Sequence, residues 1–277
     1  MSIFLLTVAL TLAPVVSASP AQGRPQFSPA ERLSIGETFT ISSKTVGEVR
    51  RINVYAPAPY TSSGDMRLPV LYMPDGGINE DFLHVAGLLQ VLIGNGTMRP
   101  FLLVGIENTE RRRDMTGPTE NAEDKRIAPR VGGSAAFRAF IRNELMPEIE
   151  ARYRTTSEKG IVGESLAGLF VVETLLLAPE MFDTYIAFDP SLWWNDTKLL
   201  GAAGELLGAK PHAGKALFIA SSGDSGLVDP VTTLTAQVKK SGGVVQHEHM
   251  PTETHATIYH PAALRAFRLL FKPATAK

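Results

Sequence analysis

One hexapeptide constrains this chain more than any other feature: Gly163-Glu-Ser-Leu-Ala-Gly168. It follows the apolar pair Ile161-Val162, and a helical run from Leu169 to Leu177 comes after it. A serine between a short apolar strand and a helix is typical of the strained turn that raises a nucleophilic hydroxyl above the edge of a sheet. The first and fifth positions are small, as so tight a turn requires. The sequence therefore predicts Ser165 as a nucleophile.

A serine hydroxyl needs a general base, and the base needs a carboxylate that orients it. In this arrangement both partners follow the serine along the chain, the acid before the histidine. His255 lies after the last predicted strand, Val244 to Met250, and is the predicted base. Asp224 directly follows the predicted strand Ala216 to Ala220 and is the predicted acid, with Asp229 as the alternative. The aspartates of the preceding units rank lower: Asp183, Asp189 and Asp196.

Two backbone donors are expected to hold the oxyanion that forms during ester hydrolysis. One is the N–H of Leu166, next after the nucleophile, at the start of a helix. The other is assigned to Gly76, in the turn that ends the apolar run Leu68 to Met73. An ordinary glycine turn is the alternative for this second position.

Short apolar strands alternate with helices over most of the chain, which predicts a mainly parallel central sheet with helices on both faces. The first two predicted strands, Glu37 to Ser42 and Val49 to Ala56, are joined without a helix and predict an antiparallel N-terminal edge. The helical spacing of Ala135 to Tyr153 and Pro261 to Phe271 adds two helices. One α/β domain over residues 37–277 is the simplest prediction.

The N-terminus differs in kind from the rest of the chain. Ile3 to Val16 is almost wholly apolar, and the small residues Val16-Ser-Ala18 follow. The run is short for a membrane span and predicts a signal peptide over residues 1–21, then a flexible lead-in over 22–36. A buried first strand or helix is the alternative. We therefore expect a periplasmic or secreted protein with no stable membrane insertion after cleavage.

Composition removes several classes of function. The chain has 27 Lys and Arg against 28 Asp and Glu, so nucleic acid is not an expected partner. It has no cysteine, which excludes thiolate zinc sites and cysteine nucleophiles. His247 and His249 alternate on a predicted strand and are an alternative pair of metal ligands. No tight ligand cluster accompanies them, so neither a metal nor an organic cofactor is predicted.

Several blocks together resemble the esterase D-like α/β hydrolases, a group similar to siderophore esterases of the enterobactin and salmochelin type. The resemblance covers about Ile41 to Phe271, nearly all of the expected mature chain. The blocks are Leu71-Tyr-Met-Pro-Asp-Gly76, Val104-Gly-Ile-Glu-Asn-Thr-Glu-Arg-Arg-Arg-Asp114, Phe137-x-x-Phe140-Ile-x-x-Glu144-Leu-x-Pro147, Tyr153-Arg-Thr155, Gly163-x-Ser165 and Pro190-Ser-Leu-Trp-Trp194.

The resemblance implies an α/β-hydrolase fold and places the family's nucleophile at Ser165 and its base at His255. Its oxyanion donors match Gly76 and Leu166, and its acid falls in the Gly223-Asp224 loop. Three further residues are implied near the substrate: Trp193, Trp194 and Arg111. Core packing is the alternative for the tryptophans, and a solvated charge run is the alternative for Arg111.

The predicted function is that of a serine esterase, which cleaves carboxylic esters through an acyl-enzyme. Its partner would be a small-molecule ester, with a siderophore or aryl ester favoured by the resemblance. Two alternatives stay open: a non-catalytic binding protein that keeps the α/β-hydrolase fold, and a metal-dependent hydrolase.

Overall fold

The computed structural model describes residues 28–273 except 211, 225 and 227. The predicted signal peptide lies outside the described residues, and so do residues 22–27 of the predicted lead-in. Contacts divide the chain into Met1–Ser34 and Ile35–Lys277. In the first unit the described residues, 28–34, are exposed and form neither helix nor strand. The second unit contains the sheet, its helices and the candidate site.

Eight strands form one sheet in the order β1-β2-β4-β3-β5-β6-β7-β8. The strands are β1 Glu37–Ser42, β2 Val49–Tyr55, β3 Leu68–Pro74, β4 Leu102–Ile106, β5 Thr155–Glu164, β6 Thr184–Phe188, β7 Ala216–Ser222 and β8 Val244–Met250.

The pairing confirms the predicted sheet. β1 and β2 pair antiparallel, β2 pairs antiparallel with β4, and every pairing from β4 through β3, β5, β6 and β7 to β8 is parallel. Parallel strands end at the same edge of a sheet, so the loops that follow β3, β5, β6, β7 and β8 meet there.

Ten α-helices accompany the sheet within the described part of the chain. They are α1 Ala58–Ser62, α2 Phe82–Gly94, α3 Arg111–Asp114, α4 Ala122–Ile127, α5 Ser134–Phe140, α6 Met146–Arg152, α7 Leu166–Leu177, α8 Lys198–Ala209, α9 Val228–Lys240 and α10 Tyr259–Leu270. The helix predicted over Ala135 to Tyr153 consists of α5 and α6 joined by a π-helical turn, Ile141–Leu145. The sequence pattern predicted none of the helices α1, α2, α3, α4, α8 and α9.

The hydrophobic core lies on both faces of the sheet, because the side chains of a strand alternate between its two faces. In β3, Val70 and Tyr72 join the cluster on the side of α5 to α9, whereas Leu71 and Met73 join the cluster on the side of α2 and α10. All seven residues of β3 are buried. This explains why the central strands are continuous apolar runs rather than alternating patterns.

No helix among the described residues combines the length and the apolar character that crossing a bilayer would need.

Candidate active site

Ser165 occupies a strained turn between β5 and α7. Its backbone has φ 60° and ψ −120°, a conformation that non-glycine residues rarely adopt. A Cβ at Gly163 would lie 2.7 Å from the Cβ of Ala167, so both positions have to be small, as predicted. The Ser165 N–H donates to the carbonyl of Phe188 at 3.0 Å, which ties the turn to the end of β6. These contacts hold the Ser165 hydroxyl at the carboxyl edge of the sheet.

His255 follows β8 and reaches Ser165 across the same edge. Its Nε2 lies 3.1 Å from the Ser165 Oγ, and its side chain is half exposed. Ninety positions of sequence separate the two residues. The structure therefore brings the predicted nucleophile and the predicted base into hydrogen-bond contact.

The carboxylate beside His255 belongs to Asp189, not to the predicted Asp224. Asp189 Oδ2 lies 2.7 Å from Nδ1 of His255, and the Asp189 side chain is only 3% exposed. Asp189 follows β6, next to the elbow, with φ 41°. Ser222 fixes it further: its N–H donates to Asp189 Oδ1 at 3.0 Å, and its hydroxyl lies 2.8 Å from Oδ2. The prediction that Asp224 lies against the imidazole is wrong.

Asp224 contacts the backbone of His255 instead of its ring. The His255 N–H donates to Asp224 Oδ1 at 3.0 Å, and the Ser222 hydroxyl lies 2.7 Å from the same oxygen. The hydrogen bond from Ser222 lowers the pKa of the Asp224 carboxyl and keeps it ionised. Asp229, the alternative acid, is exposed in the first turn of α9. Asp224 thus anchors the loop that carries the imidazole.

The two predicted oxyanion donors differ in what their backbone N–H groups contact. Leu166 begins α7, so its N–H has no acceptor one turn back in the helix and lies beside Ser165. The Gly76 N–H donates to the carbonyl of Ile106 on β4 at 3.0 Å, which contradicts its predicted role. A Cβ at Gly76 would lie 2.2 Å from the Cα of Gly105. Glycine is therefore required at position 76 because the two backbones approach closely there.

A cavity of about 260 Å³ opens beside the Ser165 hydroxyl. Its lining residues are Ser165, Asp189, Pro190, Ser191, Trp193, Asp224 and His255. Trp193 is 45% exposed and offers this cavity a large apolar face, so its contact with substrate stays a prediction. Trp194 is buried, and its Nε1–H donates to the carbonyl of Gly117 at 2.9 Å. For Trp194 the structure contradicts the predicted substrate contact and supports the core-packing alternative.

Arg111 braces the turn after β3 and is not among the residues that line this cavity. Its Nε and Nη2 donate to the two carboxylate oxygens of Asp75 at 2.7 and 2.9 Å. Asp75 is buried at φ 58° and also accepts from Asn108 Nδ2 at 2.5 Å. The guanidinium is therefore committed to an ion pair, which contradicts its predicted contact with substrate.

Glu164, next to the nucleophile, is an unusual carboxyl. Burial raises its pKa to about 7, against the opposing effect of the nearby His255 charge. Asp81 and Asp75 raise the pKa further, whereas Arg111 lowers it. The Glu164 carboxyl therefore titrates near neutral pH at the edge of the site.

The alternative metal ligands are engaged elsewhere. His247 Nε2 lies 3.0 Å from the Ser221 hydroxyl, and His249 Nδ1 lies 3.3 Å from the Ser221 carbonyl. Both contacts belong to the pairing of β8 with β7, away from the lining of the Ser165 cavity.

Sequence comparison relates this chain to proteins named as esterases. Residues 43–262 match the family model described as "Putative esterase". The ferri-bacillibactin esterase BesA of Bacillus subtilis is 33% identical over 173 residues, which cover 55% of this chain and 58% of that protein. The siderophore triacetylfusarinine C esterase of Aspergillus fumigatus is 34% identical over 154 residues, covering 49% and 48%. These alignments span about half the length of the curated relatives.

Comparison with solved structures identifies relatives of the same fold. An IroE-like serine hydrolase from Shewanella oneidensis aligns with a TM-score of 0.76 and 29% identity, covering 86% of this chain and 80% of that one. The family match extends over more than half of the sequence. This chain, with its α/β-hydrolase fold, therefore belongs to the family named Putative esterase.

Proposed function

We propose that this protein is a serine esterase that hydrolyses carboxylic esters through a Ser165-His255-Asp189 triad. The observation that carries the proposal is one line of contacts: Ser165 Oγ to His255 Nε2 at 3.1 Å, then His255 Nδ1 to Asp189 Oδ2 at 2.7 Å. A nucleophile, a base and a buried orienting carboxylate in that order are what acyl transfer requires.

In the first half of the reaction, His255 Nε2 accepts the proton of the Ser165 hydroxyl as Oγ bonds to the ester carbonyl carbon. The carbonyl π pair becomes the oxyanion, which the N–H of Leu166 stabilises. Asp189 keeps the proton on Nδ1 and stabilises the imidazolium. Collapse of the tetrahedral intermediate breaks the bond to the alcohol oxygen, which leaves with the proton from Nε2.

In the second half, water attacks the acyl carbon of the acyl-enzyme while His255 takes its proton. The second tetrahedral intermediate releases the carboxylic acid and returns the proton to Ser165 Oγ. Each step needs only atoms of the chain, the ester and one water molecule.

The substrate class is inferred from relatives and from the cavity. One relative is named a siderophore triacetylfusarinine C esterase and another a ferri-bacillibactin esterase, which supports a siderophore ester as substrate. The exposed indole of Trp193 beside the nucleophile suits an aryl or large acyl group. The apolar N-terminal run Ile3 to Val16 supports action in the periplasm or outside the cell.

A fluorophosphonate probe tests the proposed chemistry. We expect the wild-type protein to lose activity on p-nitrophenyl esters as Ser165 becomes labelled, with the site mapped by mass spectrometry. Ser165→Ala should abolish both labelling and turnover. A folded wild-type protein that takes no label and cleaves no ester would favour the non-catalytic binding protein. Chelator-sensitive activity that survives Ser165→Ala would favour a metal-dependent hydrolase.

A screen over p-nitrophenyl acyl esters, feruloyl esters and iron-siderophore esters then tests the substrate class. Hydrolysis of the simple aryl esters alone would leave the esterase chemistry standing and refute the siderophore assignment.

A further inference from the structure

The turn that supplies Asp189 also brings a second hydroxyl to the nucleophile. Ser191 Oγ lies 3.4 Å from Ser165 Oγ, and the Ser191 N–H donates to the Ser165 carbonyl at 3.0 Å. Ser191 is 4% exposed and lines the cavity beside the nucleophile. The mechanism proposed above gives this hydroxyl no part.

The number of protons available shows which of the two serine hydroxyls, Ser165 or Ser191, donates to the other. The Nδ1 proton of His255 is directed at Asp189, so Nε2 is the acceptor for the Ser165 proton. A hydroxyl has one proton to give. The contact between the two serines is then satisfied when the Ser191 hydroxyl donates to Ser165 Oγ. A 3.4 Å separation is long for an O–H···O hydrogen bond, so the contribution of this contact is small.

We propose that Ser191 is a positioning residue, whose hydroxyl donates to Ser165 Oγ and holds the nucleophile in the rotamer that faces His255. The backbone of Ser165 is fixed from both sides by the Phe188 carbonyl and the Ser191 N–H. Its side chain, however, still has staggered alternatives. A second hydrogen bond to Ser165 Oγ, from Ser191, favours the rotamer that lies 3.1 Å from His255 Nε2.

The expected effect is modest because one neutral hydrogen bond is involved. Without the Ser191 donor the nucleophile distributes over other rotamers, and we expect a three- to tenfold lower kcat. The loss should fall on kcat rather than on KM, because the proposed hydrogen bond is made to Ser165 Oγ. The rate of fluorophosphonate labelling should fall by the same factor as kcat.

Two substitutions separate positioning from packing. Ser191→Ala removes the hydroxyl, while Ser191→Cys keeps nearly the same volume with a much weaker donor. Positioning predicts that both variants are slowed alike, with Tm close to wild type. Packing alone predicts that Ser191→Cys behaves as wild type, which would overturn the proposal. If Ser191→Ala fails to fold, the near-isosteric cysteine variant carries the test.

Ser134→Ala is the matched control, because Ser134 is also fully buried and its hydroxyl has no hydrogen-bond partner among the described residues. An equal loss of rate in this variant would overturn the inference. The role of Ser191 rests on the proposed function, but different experimental outcomes would refute the two proposals. An unlabelled wild type refutes the esterase, whereas equal labelling rates in wild type, Ser191→Ala and Ser191→Cys refute only the role of Ser191.

Discussion

Asp189 Oδ2 lies 2.7 Å from His255 Nδ1, and the Asp189 carboxylate is almost fully shielded from water. A buried carboxylate bound to the ring nitrogen opposite the nucleophile fixes both the tautomer and the orientation of the imidazole. Asp224, bound to the backbone of the same histidine, can fix only the loop. The two aspartates therefore have separable roles.

Asp189→Asn should lower kcat by at least about 100-fold, because an amide can stabilise the wrong imidazole tautomer and leaves the imidazolium without a counter-charge. Asp224→Asn should cost less than about tenfold, since it weakens one hydrogen bond to a backbone N–H. Steady-state kinetics on a p-nitrophenyl ester measures both, with the exposed Asp229→Asn as control. A larger loss in Asp224→Asn than in Asp189→Asn would return the acid role to Asp224.

Glu164 should make the unfolding free energy depend on pH. Its pKa in the folded protein, about 7, lies above the ordinary value of 4.5, so the folded state holds the proton more tightly than the unfolded state does. The stabilisation is therefore complete below pH 4.5 and is lost as the pH rises towards 7 and above.

Glu164→Gln removes that titration. Relative to wild type, the variant should gain about 1–3 kcal/mol in unfolding free energy between pH 4.5 and pH 8. Urea unfolding at the two pH values measures the difference, with Asp229→Asn as the charge-matched control. An identical pH dependence in Glu164→Gln and wild type would refute the raised pKa.

The fold and the strained turn at Ser165 were predictable because their signals are local. The glycine, the serine and the small residues of the elbow stand within six positions, between a strand and a helix that the sequence itself marks. The apolar central strands were equally clear. Of the helices, α2 was missed because apolar residues occur on nearly all its sides, which hides the helical period.

The errors at the site come from contacts between distant segments. Asp189 and Asp224 both follow parallel strands that end at one edge, and only the path of each loop decides which carboxylate meets His255. The Gly76 amide was predicted to face substrate, because nothing in its own turn reveals that Ile106 on β4 accepts its proton. Asp189 was still within reach of sequence reasoning, since it directly follows the strand next to the elbow.

Arg111→Ala should destabilise the protein by about 2 kcal/mol or more, because it leaves the buried Asp75 carboxylate with one neutral donor and no cation. The exposed neighbour Arg112 lies on the same short helix, α3, and Arg112→Ala is the matched control with an expected change below about 0.5 kcal/mol. Chemical unfolding measures both. Equal stability of the two variants would show that the ion pair with Asp75 contributes nothing net.

Substitution by alanine should affect catalysis at Trp193 and stability at Trp194. Trp193→Ala removes an exposed cavity wall, so kcat/KM for a feruloyl or long acyl ester should fall by about three- to tenfold, and that for an acetyl ester should change little. Trp194→Ala should instead cost about 3–5 kcal/mol of stability, because it empties a buried site and strips the Gly117 carbonyl of its donor. Kinetics on a paired ester series, with thermal unfolding of the same preparations, separates the two effects. A uniform loss across all esters in Trp193→Ala would mean that this indole supports the site without selecting the acyl group.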